Sequence, residues 1–263
     1  MRKQAFKIFV LLLAFLTLPA LSIGQDVANQ PPDVVLQSSI QTPTPRPPRP
    51  TDFNTDIYYK NKLELSLETG YLPFNTPFVY DFFVGGDYSQ NPLQYTVVPV
   101  FPSLRWQITN VGGPKFLRGN TDLTATVSVT LIPRGPENHY AAFDLGLRRN
   151  FVQPNWRVAP YFEVRVGAGL IDAQEPNGND YAQGQNFTFT LMTGAGARYN
   201  FNGRYSMAFG ATYFHVSNAY LSEPKYDDNG INVWGPLFGF NMRLGKPRSN
   251  YNTFLRSRQT DSC

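Results

Sequence analysis

Apolar and polar residues alternate one by one along most of the chain from about residue 60 onwards. In the stretch 122–131, for example, Leu123, Ala125 and Val127 alternate with threonine and serine residues. Successive side chains of a β-strand point to opposite faces, so such a stretch predicts a strand with one apolar and one polar face. Because a helix repeats every 3.6 residues or so, the pattern argues against a mainly helical fold.

Eight segments carry this alternation, at 61–72, 93–108, 120–132, 138–151, 156–169, 185–200, 203–216 and 231–244. Most are longer than the strands of about 5–6 residues that are usual in soluble proteins. They reach the length of about 9–11 residues that a tilted strand needs to cross a bilayer. Long connections follow the first, fifth and seventh segments, and tight turns follow the fourth and sixth. An even number of long strands joined in this way is typical of outer-membrane barrels.

The polar faces of these segments carry charges that an eight-stranded barrel could enclose. The set consists of Glu64, Glu68, Asp144, Arg148, Arg157, Glu163, Arg165, Arg198 and Arg243. An eight-stranded barrel has an interior just wide enough to be filled by side chains, so we expect these charges to pair inside it. Charged residues make up 16% of the chain, against about 25% in typical soluble domains.

The alternative is a soluble sandwich or lipocalin-like barrel, with the apolar faces inward. Its outward faces should be rich in charges, especially lysine, whereas the polar faces here are rich in glycine, threonine and serine. We therefore predict an all-β fold, an eight-stranded antiparallel transmembrane β-barrel of the bacterial outer membrane. Three tryptophans and four tyrosines are expected to form aromatic girdles at the membrane surfaces. These are Trp106, Trp156, Trp234, Tyr95, Tyr161, Tyr199 and Tyr213.

The termini differ in composition from the alternating region. Residues 1–24 combine basic side chains with a short apolar run and small residues, which indicates a secretory signal peptide. Residues 25–56 are polar and proline-rich and predict an extended periplasmic linker. The barrel is expected over 57–245, and a polar C-terminal tail over 246–263.

Several functional classes are disfavoured by the composition. A single cysteine, Cys263, excludes an intramolecular disulfide and a cysteine-based zinc site, and two histidines argue against a histidine-rich metal site. The formal net charge is +4, with basic residues scattered along the chain, so no nucleic-acid-binding surface is indicated.

His215 and Ser217 lie at the end of the seventh segment with the same parity as its apolar face, which would point both towards lipid. Positions i and i+2 of a strand share a face, so the imidazole could reach the hydroxyl. A histidine beside a serine can act as the base that activates it as a nucleophile. By itself this spacing is also compatible with a strand that simply ends at the membrane surface.

The stretch Phe214-His215-Val216-Ser217-Asn218-Ala219, with Asn229-Gly230-Ile231-Asn232 after it, resembles the PagL family of lipid A 3-O-deacylases. The resemblance implies an eight-stranded outer-membrane barrel that removes an ester-linked acyl chain from lipid A in the outer leaflet. It implies no metal and no cofactor. The expected partner is lipopolysaccharide within the membrane, and the oligomeric state is left open.

By the same resemblance, Ser217 would be the nucleophile, His215 the general base and Asn218 the oxyanion-hole residue. The family has a glutamate that orients the histidine, and its position is occupied here by Asn232. An amide can accept from the imidazole but carries no charge to stabilise imidazolium. Alternative carboxylates are available in the loop between the seventh and eighth segments, at Glu223, Asp227 and Asp228. The alternative function is a non-catalytic outer-membrane barrel of the same fold with a structural or lipid-binding role.

Overall fold

The computed structural model describes residues 52–78, 92–226 and 230–245. The predicted signal peptide, the linker up to residue 51 and the predicted C-terminal tail lie outside the described residues. So do Asp227 and Asp228, two of the alternative carboxylates.

The described residues form an antiparallel sheet of eight long strands and one short one. The strands are β1 (Leu63–Gly70), β2 (Phe74–Asn75), β3 (Thr96–Gln107), β4 (Gly119–Arg134), β5 (His139–Phe151), β6 (Val158–Ile171), β7 (Phe187–Asn200), β8 (Tyr205–Ser217) and β9 (Ile231–Arg243). Each long strand pairs with the next long strand along the chain, and β1 also pairs with β9. The sheet therefore closes into an eight-stranded barrel, as the alternation predicted.

The short strand β2 continues the sheet beside β9 after β1 has ended, with Phe74 opposite Trp234. In the described part of the chain, three short 3-10 helices lie before or between the long strands, at Phe53–Asp56, Lys115–Leu117 and Glu175–Asn177. Across the described ranges, no helix is long and apolar enough to cross a membrane. We call the end at which β1 begins and β9 ends the near end, and the opposite end, where β8 ends, the far end.

Side chains alternate between the outside and the inside of the barrel along every long strand, because the backbone is pleated. The outward side chains are largely apolar and remain exposed. They include Leu65, Leu67, Leu104, Val127, Val129, Phe143, Leu145, Phe162, Phe209, Phe238 and Phe240. A continuous exposed apolar belt of this kind is what a lipid-facing barrel surface requires.

A buried ionic network fills the middle of the barrel. The Glu68 carboxylate of β1 accepts hydrogen bonds from Arg105 of β3 at 2.6 Å, from Arg148 of β5 at 2.8 Å and from Arg165 of β6. Glu163 binds the same Arg148 at 2.7 Å and Arg165 at 2.9 Å. Two carboxylates and three guanidinium groups thus join four strands. This confirms the predicted interior pairing for Glu68, Arg148, Glu163 and Arg165, and it adds Arg105, which the sequence analysis did not include.

A second ion pair lies towards the near end, where Glu64 binds Arg198 at 2.6 Å and Lys62 at 3.0 Å. Three members of the predicted charged set behave differently. Arg243 is buried as predicted, but the ion pairs found within the described residues do not include it. Asp144 is buried but accepts from the Ser128 hydroxyl. Arg157 was wrongly predicted to lie inside. It precedes β6 and stays exposed, where its guanidinium donates to the Phe201 carbonyl at 2.8 Å.

Two tyrosines that were predicted to form the girdles are also inside the barrel. Tyr161 has the inward parity of Glu163, and its ring lies 3.9 Å beneath the Arg148 guanidinium. Tyr95 precedes an irregularity in the β3–β4 register between Thr96 and Val98. It is buried in an apolar cluster that fills the far end of the barrel. The girdle prediction is therefore wrong at both positions.

Candidate active site

The end of β8 and the start of β9 place three polar side chains on the outer face of the far end, those of His215, Ser217 and Asn232. In the register of these strands, His215 lies opposite Asn232, Phe214 opposite Val233 and Val216 opposite Ile231. The intervening apolar side chains point inward and belong to the far-end cluster, with exposures of 1% or less. Because inward and outward positions alternate, burial of this apolar set fixes Tyr213, His215 and Ser217 on the outside.

His215 and Asn232 are in hydrogen-bond contact. The distance from imidazole Nδ1 to the amide Oδ1 of Asn232 is 2.7 Å. An amide oxygen can only accept, so in this arrangement Nδ1 carries the proton. Neutral imidazole has a single N–H, and Nε2 is then the unprotonated nitrogen that can accept a proton.

Tyr213 reaches the same amide oxygen. Its hydroxyl donates to Asn232 Oδ1 at 2.7 Å, and the tyrosine is 9% exposed. The sequence interpretation assigned Tyr213 to an aromatic girdle and missed this contact. The available signal was its parity, since Tyr213 precedes His215 by two residues on the same face of β8.

Phe78 covers the imidazole from another part of the chain. Its ring centroid lies 4.1 Å from that of His215, and the two rings are stacked at 28°. The segment is held in place by β2, and beyond β2 by the Thr76 N–H, which donates to the Asn232 carbonyl at 3.2 Å. No motif in the sequence indicated this residue, because it approaches β9 from the side opposite to β8.

Ser217 is half-buried at the last position of β8. Its Oγ accepts from the Ala219 backbone N–H at 3.3 Å. The hydrogen bonds recorded within the described ranges do not join this hydroxyl to the His215 ring. Catalytic hydrogen bonds are often long before substrate binds and shorten in the complex, so geometry without substrate does not exclude the pair.

Asn218 follows Ser217 but its side chain is directed into the next loop. It is fully buried, and its Nδ2 donates to Ser222 Oγ at 2.7 Å. The structure therefore places Asn218 beside the serine with its amide engaged by a neighbouring hydroxyl.

The remaining alternative carboxylate that the structure describes, Glu223, is exposed in the same loop. In the part of this loop that is described, residues 218–226, its recorded hydrogen bond is a backbone one, to the Tyr220 carbonyl. The structure thus brings Asn232, and not Glu223, to the His215 imidazole. A search of the described residues found no group of three or more histidine, cysteine or acidic side chains arranged to hold a metal ion.

The arrangement has the parts of a nucleophilic ester hydrolase on a lipid-facing surface. A hydroxyl, an imidazole and an acceptor for the imidazole N–H lie on one face of two paired strands. An amide in the orienting position has a precedent in the Cys–His–Asn sets of papain-like proteases.

The family model described as "Lipid A 3-O-deacylase (PagL)" matches residues 102–241, just over half of the chain. A search of curated proteins found no match.

Among solved structures, the chain is similar to the outer membrane enzyme PagL, with 17% identity, a TM-score of 0.44, and 68% of this chain and 98% of that one covered. It is also similar to the outer membrane protein OprG from Pseudomonas aeruginosa, with 10% identity, a TM-score of 0.37, and coverage of 71% and 98%. A designed transmembrane β-barrel gives 13% identity, a TM-score of 0.31 and the same coverage. From the family match, which spans β4 to β8, the second half of β3 and most of β9, we conclude that this chain belongs to the lipid A 3-O-deacylase (PagL) family of outer-membrane β-barrels.

Proposed function

We propose that this protein is an outer-membrane serine esterase that removes the 3-O-linked acyl chain from lipid A. The observation that carries the proposal is the 2.7 Å contact between His215 Nδ1 and Asn232 Oδ1 on the outer face, with Ser217 two residues after His215 on the same face of β8. With Nδ1 protonated, Nε2 is free to act as the base for the serine hydroxyl.

In the first half of the reaction, the Ser217 hydroxyl loses its proton to His215 Nε2 as its oxygen attacks the ester carbonyl. The tetrahedral intermediate then collapses. The bond to the sugar oxygen breaks, and the leaving 3-hydroxyl takes the proton back from His215. The acyl chain is now esterified to Ser217.

In the second half, a water molecule from the membrane surface gives a proton to His215 and attacks the acyl-enzyme. Collapse releases the fatty acid and returns the proton to Ser217. Both intermediates carry an oxyanion, which a nearby hydrogen-bond donor stabilises. We assign this donor to Asn218, and the role requires its Nδ2 to exchange the Ser222 hydroxyl for the substrate oxygen.

The position of the pair fits a substrate that remains in the membrane. His215 and Ser217 lie on the outer face, at the end of the lipid-facing belt. The interior of the barrel is occupied by the ionic network. We place the far end on the extracellular side, so that the ester of lipid A in the outer leaflet meets Ser217 without leaving the bilayer.

The proposal is tested by mass spectrometry of lipid A from an outer-membrane-bearing host that expresses the wild type or Ser217→Ala. We expect loss of one hydroxyacyl chain with the wild type and unchanged lipid A with the variant. Ser206→Ala is the matched control, since Ser206 lies on the same strand but faces the interior. Unchanged lipid A with a folded wild-type protein would favour the alternative, a non-catalytic lipid-binding or structural barrel.

A further inference from the structure

Two donors share a single acceptor at the candidate active site. The Tyr213 hydroxyl and the His215 Nδ1 each lie 2.7 Å from Asn232 Oδ1. Asn232 is 6% exposed and Tyr213 is 9% exposed, so bulk water has little access to this contact. Both hydrogen bonds therefore depend on which end of the Asn232 amide faces the two donors.

An amide, unlike a carboxylate, has two different ends. If Oδ1 faces the imidazole, Nδ1 must carry the proton and Nε2 is the base. If the amide were reversed, Nδ2 would donate to Nδ1 and the imidazole proton would move to Nε2, the nitrogen that the proposed reaction uses as the base. In a serine protease, the wrong tautomer produced by an orienting amide lowers kcat about 10⁴-fold.

The tyrosine favours the productive orientation of the amide. A phenol hydroxyl is a stronger donor than acceptor, because its oxygen lone pair is delocalised into the ring. Tyr213 therefore stabilises the oxygen end of the amide at the point where His215 also needs an acceptor. Reversal of Asn232 would turn its Nδ2 donor towards this hydroxyl, which would then have to accept the hydrogen bond, the weaker of its two roles.

We propose that Tyr213 is a positioning residue that holds the Asn232 amide with its oxygen towards His215 and thereby selects the Nδ1–H tautomer. The inference rests on the proposed esterase function for its consequence in catalysis, but the tautomer itself is a property of the resting protein. A carboxylate has two equivalent oxygens and needs no such selection. With an amide at this position, we assign the selection to Tyr213.

The tautomer can be measured directly by ¹⁵N NMR of the imidazoles in the full chain, refolded in detergent micelles near neutral pH. The sequence has two histidines, and His139→Gln leaves His215 as the single signal. We expect the wild type to show the Nδ1–H tautomer and Tyr213→Phe to show a large share of Nε2–H. Tyr205→Phe is the matched control, since Tyr205 lies on the outer face of the same strand at the near end. An unchanged Nδ1–H signal in folded Tyr213→Phe overturns the proposal.

Kinetics separate positioning from a structural role. We expect Tyr213→Phe to lower kcat for deacylation about tenfold, a barrier change of about 1.4 kcal/mol, and to leave KM unchanged. In an Asn232→Asp background the same tyrosine substitution should have little effect, because a carboxylate cannot be reversed. An equal loss of kcat in both backgrounds would show that Tyr213 supports only the local fold.

The two proposals fail in different ways. A wild type without deacylase activity contradicts the proposed function, and the NMR comparison still decides whether Tyr213 sets the tautomer. An active wild type whose tautomer and kcat are insensitive to Tyr213→Phe contradicts only the positioning role. Heat-modifiable mobility on gels verifies that each variant is a folded barrel.

Discussion

The sequence resemblance implies that Asn232 occupies the position of the family's glutamate, and the structure shows which contacts an amide makes there. It accepts the imidazole N–H at 2.7 Å, as a carboxylate would, but it brings no negative charge. Hydrogen bonds to charged groups contribute about 1.5–3 kcal/mol, against about 0.5–1.5 kcal/mol for neutral ones. The amide therefore orients His215 but would give less stabilisation to the imidazolium of the proposed transition state.

Asn232→Asp should raise kcat, because aspartate has nearly the same shape and adds the missing charge. We expect an increase of about fivefold, equivalent to roughly 1 kcal/mol of additional transition-state stabilisation. Initial rates of acyl release from purified lipid A in micelles provide the measurement. A lower rate in a folded variant would show that the neutral amide is required.

Gly230 precedes β9 next to the proposed catalytic pair, His215 and Ser217, with a φ of +62°. A Cβ at this position would lie 3.2 Å from His215 Cε1 and 3.3 Å from Ser217 Cβ. We expect Gly230→Ala to reduce deacylation strongly and to lower the free energy of unfolding by about 1–2 kcal/mol, the usual cost of a left-handed backbone for alanine.

The matched control is Gly178→Ala. Gly178 also has a positive φ, of +91°, but a Cβ there would meet nothing within 4 Å. It should lose similar stability and retain full activity. Equal rates for the two alanine variants would mean that space around His215 does not limit catalysis.

At the scale of elements, strands β1, β3, β5 and β6 are joined through Glu68. This carboxylate is 1% exposed and contacts three guanidinium groups that belong to the other three strands. A buried charge is tolerated when its partners compensate it, and removal of one partner leaves the others without compensation. The barrel wall is thus stabilised from inside as well as through its hydrogen-bonded ladders.

Glu68→Gln should therefore destabilise the barrel by about 3–5 kcal/mol, the range found when one partner of a buried ion pair is removed. Urea unfolding of the refolded protein in lipid vesicles, followed by tryptophan fluorescence, gives the free energy. Glu223→Gln is the control, because Glu223 is exposed in the loop after β8. Similar unfolding curves for the two variants would contradict a stabilising role for the network.

At the scale of the whole molecule, the barrel is inverted relative to a soluble protein. Its outer surface carries exposed leucine, valine and phenylalanine side chains, and its interior holds the charges. This distribution is stable only where lipid covers the outer surface. It also fits the proposed function, because a lipid substrate would meet the proposed reactive groups on the outside of the wall.

A charge in the middle of this belt should be costly. Leu145 lies near the centre of β5 and is 49% exposed. We expect Leu145→Arg to reduce the free energy of folding into vesicles by about 2–4 kcal/mol, as found for arginine at the bilayer midplane. Phe116→Arg, in the near-end loop between β3 and β4, is the control and should have little effect. Equal effects at both sites would argue against a lipid-facing belt around Leu145.

The sequence by itself determined the barrel and the face on which the reactive residues lie. Alternation is a local property of an extended backbone, so the parity of His215, Ser217 and Asn232 could be read directly from their spacing. The short distance between β8 and β9 along the chain then made their pairing predictable. The interior position of most charged residues followed from the same alternation.

Only the tertiary structure decided which side chains meet at one depth of the wall. Phe78 reaches His215 because β2 adds to β9 after β1 has ended, and the hydroxyl of Tyr213 meets Asn232 because of the stagger between β8 and β9. Tyr95 turned inward next to a register irregularity. The parity of a residue specifies the face of the sheet on which its side chain lies, but not its position along the barrel axis. Contacts between strands depend on the register that is set when the whole sheet closes, and that register is a property of all eight long strands together.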